Sequence, residues 1–309
     1  MVANRVAYGE TVHQLALKDE RIVVVDSDCV NVLNYGKFEK DFPDRFFECG
    51  IAEQNMVSVA AGLASCGFIP FVASFAVFTS MRALDQIRNM VCYNHYNVKI
   101  IGTHAGVETG FDGATHQAIE DIAIMRAIPG MKVVVPSTPI VTEKLTRLIA
   151  ETDGPVYMRF GREPNVELYQ ENVDVNLGGS QRLREGNHIT IMACGRMVDF
   201  SMKAAEQLKQ RGIDSRVVDM YSIKPIDGEE IEKAVKETEI IFTVEDHNII
   251  GGLGGAVCEY TASHCPCRVV SIGVEDHFGR SGNCDDLFRL CKIMPENIVE
   301  CVLAVLDKK

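Results

Sequence analysis

The sequence contains no long hydrophobic run. No stretch approaches the roughly 18 consecutive apolar residues that mark a membrane-spanning helix. The first ten residues are polar and lack the apolar segment of a secretory signal peptide. We therefore expect a cytoplasmic protein that has no membrane partner.

Close cysteine pairs are also scarce. The 11 cysteines are scattered without a C-x-x-C motif, and the closest two, Cys265 and Cys267, flank Pro266. This spacing does not match a structural zinc site. We therefore predict reduced thiols, as is usual in the cytoplasm.

Positive charge is in short supply. The chain has 31 Lys and Arg residues against 43 Asp and Glu residues, which gives a formal net charge of −12. Because a nucleic-acid-binding surface needs clustered Lys and Arg side chains, we expect no nucleic-acid partner. The 309 residues, of which 47% are hydrophobic, suffice for about two domains with large cores.

Short apolar runs alternate with helical patterns along the whole chain. This alternation predicts an α/β fold of two domains, with mainly parallel sheets covered by helices on both faces. A polar, glycine-containing segment interrupts it, so we predict domains at 1–165 and 187–309 joined by a linker at 166–186. Predicted strands lie at 21–26, 46–49, 69–73, 98–103, 132–136, 156–160, 188–193, 215–219, 240–244 and 268–272. Predicted helices lie at 51–66, 79–93, 116–128, 140–152, 198–211, 228–237, 254–263 and 295–307.

Glu53 is a candidate catalytic acid. It follows a predicted strand in the segment Gly50-Ile51-Ala52-Glu53-Gln54 and opens a helix of small and apolar residues, which we expect to be buried nearly all round. The alternative is an ordinary first-turn glutamate that the helix dipole stabilises. A carboxyl group among apolar neighbours has a raised pKa and can share a proton with a ligand nitrogen.

Two aromatic residues, Phe75 and Phe78, mark the end of the strand predicted at 69–73. On spacing alone they are best interpreted as core residues. The functional alternative is an apolar slot for a planar heterocycle, because aromatic rings favour stacked and edge contacts.

A polar loop joins the strand predicted at 98–103 to the next helix. It carries His104, Asp112, Thr115 and His116, and we expect Thr115 or Asp112 to cap that helix. Two histidines and an aspartate could bind a metal ion, but catalytic zinc ligands usually come from tighter motifs. A pocket that handles a sugar hydroxyl and its proton fits the residues better.

Two further segments carry weaker signals. Arg162 follows the last strand of the first domain, where an arginine can bind a phosphate or form a surface ion pair. The run Gly251-Gly252-Leu253-Gly254-Gly255 is similar to a phosphate cradle. We interpret it as a tight turn against a helix and assign no ligand there.

Taken in order, these segments resemble the pyrimidine-binding and C-terminal domains of transketolases. Asp112-Gly113-Ala114-Thr115-His116-Gln117 is close to the family motif D-G-x-T-H-Q, and residues 50–54 are similar to G-I-x-E-H/Q. Thr103-His104 and the Phe75-x-x-Phe78 pair fall in the expected order. The resemblance covers essentially all of the chain.

The resemblance implies a thiamine diphosphate site. Glu53 would bond to N1′ of the aminopyrimidine and favour the imino tautomer, whose N4′ removes the C2 proton of the thiazolium. Phe75 and Phe78 would line the aminopyrimidine pocket, and Asp28 would lie near the cofactor. Met81 stands where the family has a third aromatic residue, so sulfur would replace a ring contact.

The resemblance also implies roles toward the sugar. His104 and Asp112 would contact hydroxyl groups of the ketose, and His116 would help transfer a proton to or from it. Arg162, together with Arg5, would hold the sugar phosphate. The implied reaction transfers a two-carbon ketol unit from a ketose phosphate to an aldose phosphate.

One part of the family site is missing from the sequence. Thiamine enzymes hold the diphosphate through Mg²⁺ bound by a G-D-G motif, and no G-D-G occurs here. Because Mg²⁺ needs several oxygen ligands, we expect an N-terminal transketolase subunit to supply them. A two-plus-two heterotetramer is the natural assembly.

Three alternatives stay open. The β subunit of a 2-oxoacid dehydrogenase shares the size, the glutamate and the missing diphosphate motif, but His104 and residues 112–117 suit a polyhydroxylated substrate better. A 1-deoxyxylulose-5-phosphate synthase shares the Thr-His-Gln element, and Arg82-Ala83-Leu84-Asp85-Gln86 is similar to that family. A non-catalytic assembly subunit is the third, against which the intact Glu53 argues.

Overall fold

Two mainly parallel sheets form the frame of the molecule. A computed structural model describes residues 1–307. The seven strands of the first sheet, in spatial order, are Ser222–Lys224, Lys132–Val134, Val156–Arg159, Lys99–Thr103, Ile69–Phe75, Ile22–Asp26 and Phe46–Glu48. The five strands of the second are Val269–Val274, Ile241–Asn248, Ile189–Ala193, Ser215–Asp219 and Gln181–Arg184. Within these two sheets, Ser222–Lys224 and Gln181–Arg184, each at a sheet edge, run antiparallel to their neighbours. Val2–Ala3 and Pro164–Asn165 form a separate antiparallel pair.

Helices cover both faces of the first sheet because its strands are apolar on both sides. Val25 and Val72 belong to a core that also contains residues of helix Glu53–Ser65, whereas Val24 and Phe71 face a second core under helices Asn4–Ala16 and Pro139–Glu151. The predicted α/β class with parallel sheets is confirmed. The other helices are Gly36–Asp41, Leu84–Gln86, Asp121–Ala127, Met197–Lys209, Gly228–Glu237, Leu253–His264, Cys284–Leu290 and Pro295–Leu306. No helix within residues 1–307 is long and apolar enough to cross a membrane.

Several local predictions were wrong. The segment predicted as a helix at 79–93 contains two π-helical stretches, Phe78–Arg82 and Ile87–Cys92, around Leu84–Gln86. The helix predicted at 116–128 begins only at Asp121, so neither Thr115 nor Asp112 caps it.

Several elements were not predicted from the sequence, and two of them show why. Helix Asn4–Ala16 buries Asn4, Thr11 and His13 beside its apolar residues, so it lacks a clean apolar stripe. Strand Gln181–Arg184 lies within the segment predicted as a linker and is polar, and its pairing with Ser215–Asp219 alone makes it a strand.

Helix Glu53–Ser65 is half exposed, which corrects the expectation of burial nearly all round. Glu53, Met56, Val57, Ala60 and Ala61 are its buried residues. The exposed ones include polar and small side chains of the opposite face, such as Gln54, Asn55 and Gly62.

Asp219 joins three parts of the chain. The side-chain hydroxyl groups of Ser137 and Tyr169 both donate to its Oδ2 atom, the latter over 2.7 Å. Its Oδ1 atom is buried without a hydrogen-bond partner in the described part of the chain. Burial raises the pKa of Asp219 from 3.8 to about 7, although the two hydroxyl groups oppose the rise.

We expect Asp219→Asn to remove a pH dependence of stability. Between about pH 4 and pH 7 the folded chain retains a proton that the unfolded chain releases, so Asp219 lowers the free energy of unfolding as pH rises. The variant should gain stability over the wild type as pH rises, by at most about 4 kcal/mol at pH 8. Urea unfolding at pH 5 and pH 8 measures this difference. If the free energies of unfolding of the variant and the wild type differed by the same amount at both pH values, the prediction would be contradicted.

Candidate active site

The carboxyl ends of five adjoining parallel strands carry the predicted site residues. Ligands of parallel α/β folds bind at this edge of the sheet. In the spatial order of the strands, Arg162 follows Val156–Arg159 and His104 follows Lys99–Thr103. Phe75 is the last residue of Ile69–Phe75. Asp28 follows Ile22–Asp26, and Glu53 follows Phe46–Glu48. The topology thus brings together residues that are far apart in the sequence.

Four rings form a cluster at this edge. The Phe75 ring stacks on His104, with centroids 4.2 Å apart, and on Phe78, with centroids 5.9 Å apart. The His116 ring meets Phe78 edge-on at 5.2 Å. The hydroxyl of Thr115 lies 3.0 Å from His116 Nδ1 and helps to orient that ring. Phe75 and Phe78 therefore make a stacked aromatic wall that two imidazoles flank.

His104 is a buried, uncharged imidazole. Its backbone is left-handed, with φ 54°, and its side chain is 5% exposed. Its Nδ1 atom lies 3.1 Å from the hydroxyl of Thr103. Burial lowers its pKa from 6.5 to about 3, and the charges of Arg162 and Arg5 lower it further in the same direction. At neutral pH the ring can donate one hydrogen bond and accept another, but it carries no charge.

We expect the ring signals of His104 to stay constant in NMR spectra between pH 5 and pH 8. The reason is that its protonated form requires a pH near 3. A His104→Gln variant assigns the signal among the eight histidines. A titration of His104 with a midpoint near 6.5 would contradict the buried, neutral state.

Arg162 and Arg5 lie together beside His104. Arg5 Nε donates to the backbone oxygen of Arg162 over 3.3 Å, and Arg5 Nη1 donates to that of Val32 over 2.8 Å. Arg162 is held loosely: its Nη1 atom lies 3.3 Å from the Thr109 oxygen and 3.6 Å from Asp112 Oδ2. Its side chain is 40% exposed. A loosely held guanidinium is available for an anion.

Glu53 is buried and paired with an arginine that sequence reasoning did not select for the site. Glu53 Oε2 accepts a hydrogen bond of 2.7 Å from Arg82 Nη1, and the Arg82 guanidinium lies 4.3 Å from the Phe78 ring centroid. The π-helical turn Phe78–Arg82 holds Arg82 at this place, and such turns are frequent at functional sites. A ligand nitrogen can bind Glu53 through Oε1 or share Oε2 with Arg82, because each carboxylate oxygen can accept two hydrogen bonds.

Asp28 and Met81 border the same region. Asp28 is exposed with φ 59°, and its backbone N–H donates to Glu48 Oε1 over 3.0 Å. The nearby thiol of Cys29 is buried, and this burial, together with the charges of Asp26, Asp28 and Glu53, raises its pKa. The charges of Asp28 and Glu53 therefore both raise the pKa of the same thiol. Met81 is half-buried inside the π-helical turn, next to Arg82.

Residues 1–165 match the family model of the transketolase pyrimidine-binding domain, and residues 178–298 match that of the transketolase C-terminal domain. The chain belongs to the transketolase family. The resemblance inferred from the sequence motifs is therefore confirmed.

Other transketolase proteins match the chain nearly end to end. A transketolase C-terminal section from Methanocaldococcus jannaschii is 45% identical and covers 99% of this chain and 96% of its own length. One of the subunits of the apulose-4-phosphate transketolase from Phocaeicola vulgatus is 40% identical and covers 100% of this chain and 99% of its own length. A solved split-gene transketolase, an inactive β4 tetramer, is 41% identical with a TM-score of 0.91, over 99% of this chain and 98% of that one.

This transketolase chain holds its site loop by a carboxylate that was not selected from the sequence. Glu108 is buried between the two sheets, where its Oε1 atom accepts hydrogen bonds from Arg196 Nη2 over 2.9 Å and from the backbone N–H of Glu163 over 2.6 Å. A glutamate inside a polar loop gives no periodic signal, so the sequence offered no means of finding it.

Proposed function

We propose that this chain is a subunit of a cytoplasmic, thiamine-diphosphate-dependent transketolase. It would transfer a two-carbon ketol unit from a ketose phosphate to an aldose phosphate. The observation that carries the proposal is the wall of Phe75 and Phe78 flanked by His104 and His116, on the same sheet edge as the buried Glu53. This arrangement combines an aromatic wall, a carboxylate and two imidazoles.

The cofactor fits these residues. Phe75 and Phe78 would flank the aminopyrimidine, with Met81 and Asp28 at the border of the pocket. Glu53 would share a proton with the N1′ nitrogen, and burial at 1% exposure keeps water from competing for it. When bound, thiamine diphosphate supplies the nucleophilic carbon and the electron sink for C–C bond cleavage.

The sugar would lie against the polar side of the ring cluster. The uncharged His104 can hydrogen-bond a hydroxyl group as donor or acceptor, and Asp112 can accept from a second one. His116, half-buried at the cluster edge, is suited to hold or release a proton at the reacting oxygen. Arg162 and Arg5 would bind the phosphate, because both cations already lie within the electrostatic reach of His104.

A partner subunit would complete the site. The described residues, 1–307, include no group of three or more His, Cys, Asp or Glu side chains that could hold a metal ion. We infer that an N-terminal transketolase subunit supplies Mg²⁺ and the diphosphate-binding motif, in a two-plus-two heterotetramer. The split-gene structure with a TM-score of 0.91 supports this, because that tetramer of β chains is inactive.

The test is an assay of the two reconstituted subunits with thiamine diphosphate and Mg²⁺. Xylulose 5-phosphate plus ribose 5-phosphate should be converted, whereas pyruvate should not. The sugars serve as probes of the class, because one relative is an apulose-4-phosphate transketolase. Turnover of pyruvate alone would favour a 2-oxoacid dehydrogenase, and pyruvate with an aldose phosphate a 1-deoxyxylulose-5-phosphate synthase.

A further inference from the structure

The loop between His104 and Gln117 is held by the second sheet. Asp246, on strand Ile241–Asn248, accepts hydrogen bonds from the backbone N–H groups of Val107 over 3.0 Å and of Glu108 over 3.4 Å. These N–H groups start the short 3₁₀ helix Val107–Asp112. Gly106 precedes it with φ 72°, and a β-carbon there would collide with the Asp246 carboxylate. The loop is therefore shaped to receive this side chain.

The same short helix connects to both histidines. The Thr109 hydroxyl lies 2.6 Å from the backbone oxygen of His104 and 3.2 Å from that of His116. Thr109 is fully buried, so water does not compete for these contacts. A shift of Val107 and Glu108 would therefore move Thr109. Through Thr109 it would also move the backbones of the two histidines.

Further contacts from the second domain reach the far end of the loop. Gln117 Nε2 donates to the Arg280 oxygen over 2.8 Å, and the Ser281 hydroxyl donates to the Phe111 oxygen over 2.6 Å. These contacts hold the end of the loop, whereas Asp246 holds its start.

The residue before Asp246 has a matching function on the opposite face of the strand. Glu245 accepts from the backbone N–H groups of Leu253 over 2.7 Å and of Gly254 over 2.8 Å. Consecutive strand side chains point to opposite faces, so these two carboxylates order two different helix starts. The glycine-rich run at 251–255 therefore binds an internal carboxylate, that of Glu245, in the way that a phosphate cradle would bind a ligand.

We propose that Asp246 is a positioning residue for the ketol-transfer site. Through Val107, Glu108 and Thr109 it fixes the backbones of His104 and His116, and it gives the C-terminal domain a direct part in sugar binding. The ordering of the loop stands on the contacts alone. The consequence for sugar binding rests on the proposed function.

The first test measures hydrogen exchange in the full chain by mass spectrometry. Asp246→Asn keeps the shape, but its amide NH₂ group cannot accept from a second backbone N–H. We expect amides in residues 104–117 to exchange at least tenfold faster than in the wild type. Glu259→Gln is the matched control, because the Glu259 side chain is 70% exposed and forms its interdomain ion pair of 2.6 Å with Arg126, outside residues 104–117. Equal protection of residues 104–117 in the two variants would overturn the proposal.

The second test measures the reconstituted enzyme. Asp246→Asn should raise KM for the ketose phosphate about tenfold, whereas a merely destabilising change lowers the amount of active enzyme and leaves KM unchanged. Thr109→Val, which keeps the shape and removes only the hydroxyl, should raise KM in the same direction and serves if Asp246→Asn does not fold. An unchanged KM in Thr109→Val would overturn the link to the histidines. Absence of ketol transfer in the wild type would refute the proposed function and leave the exchange result standing.

Discussion

Replacing Glu53 with glutamine is expected to lower ketol transfer by the reconstituted enzyme about a thousandfold, within the range usual for loss of an acid–base group. Glutamine keeps the size of the side chain and can still accept a hydrogen bond from Arg82. It cannot share a proton with the N1′ nitrogen of the aminopyrimidine. The fold should survive, because Glu53 contributes only the first residue of its helix.

Steady-state rates at saturating sugar and cofactor measure this loss. Glu143→Gln is the matched control, because Glu143 is an exposed helix residue that pairs with Arg147 at 3.0 Å. Its rate should equal that of the wild type. A Glu53→Gln enzyme with full activity would refute the assigned role and revive the non-catalytic alternative.

The chain alone is expected to be inactive. We expect the purified chain to show no turnover of xylulose 5-phosphate plus ribose 5-phosphate, even with excess Mg²⁺ and thiamine diphosphate. The sequence has no G-D-G motif, and Mg²⁺ needs several oxygen ligands that include carboxylates and phosphates. Adding the N-terminal subunit should restore activity.

A titration with the partner subunit makes this prediction quantitative. Activity should rise in proportion to the partner and level off at one partner per chain. Mixtures made with the Glu53→Gln chain should stay inactive, which excludes activity of the partner alone. Turnover by the isolated chain would contradict the need for a second subunit.

Much of the fold could be predicted because its signals are local. The apolar runs at 69–73 and 98–103 predicted strands that the structure has as Ile69–Phe75 and Lys99–Thr103. Their parallel arrangement followed from the helices between them. Helix Asn4–Ala16 was missed because its buried side chains include Thr11 and His13, whose burial depends on their neighbours.

The candidate site could be predicted in part for the same reason. Glu53, His104 and His116 stand in short motifs that survive without any knowledge of contacts. Arg82 does not, because its pairing with Glu53, 29 residues earlier in the chain, depends on a π-helical turn where a regular helix was predicted.

The alternation of strands and helices, the family and the residue types available for catalysis all follow from periodicity and short motifs. How those residues are held depends on contacts that form in the folded chain. Arg5 reaches Arg162 across 157 residues of sequence, and Asp246 reaches Val107 across 139. Periodicity and short motifs encode local conformation, whereas contacts between segments that are far apart in the sequence arise only when the whole chain folds.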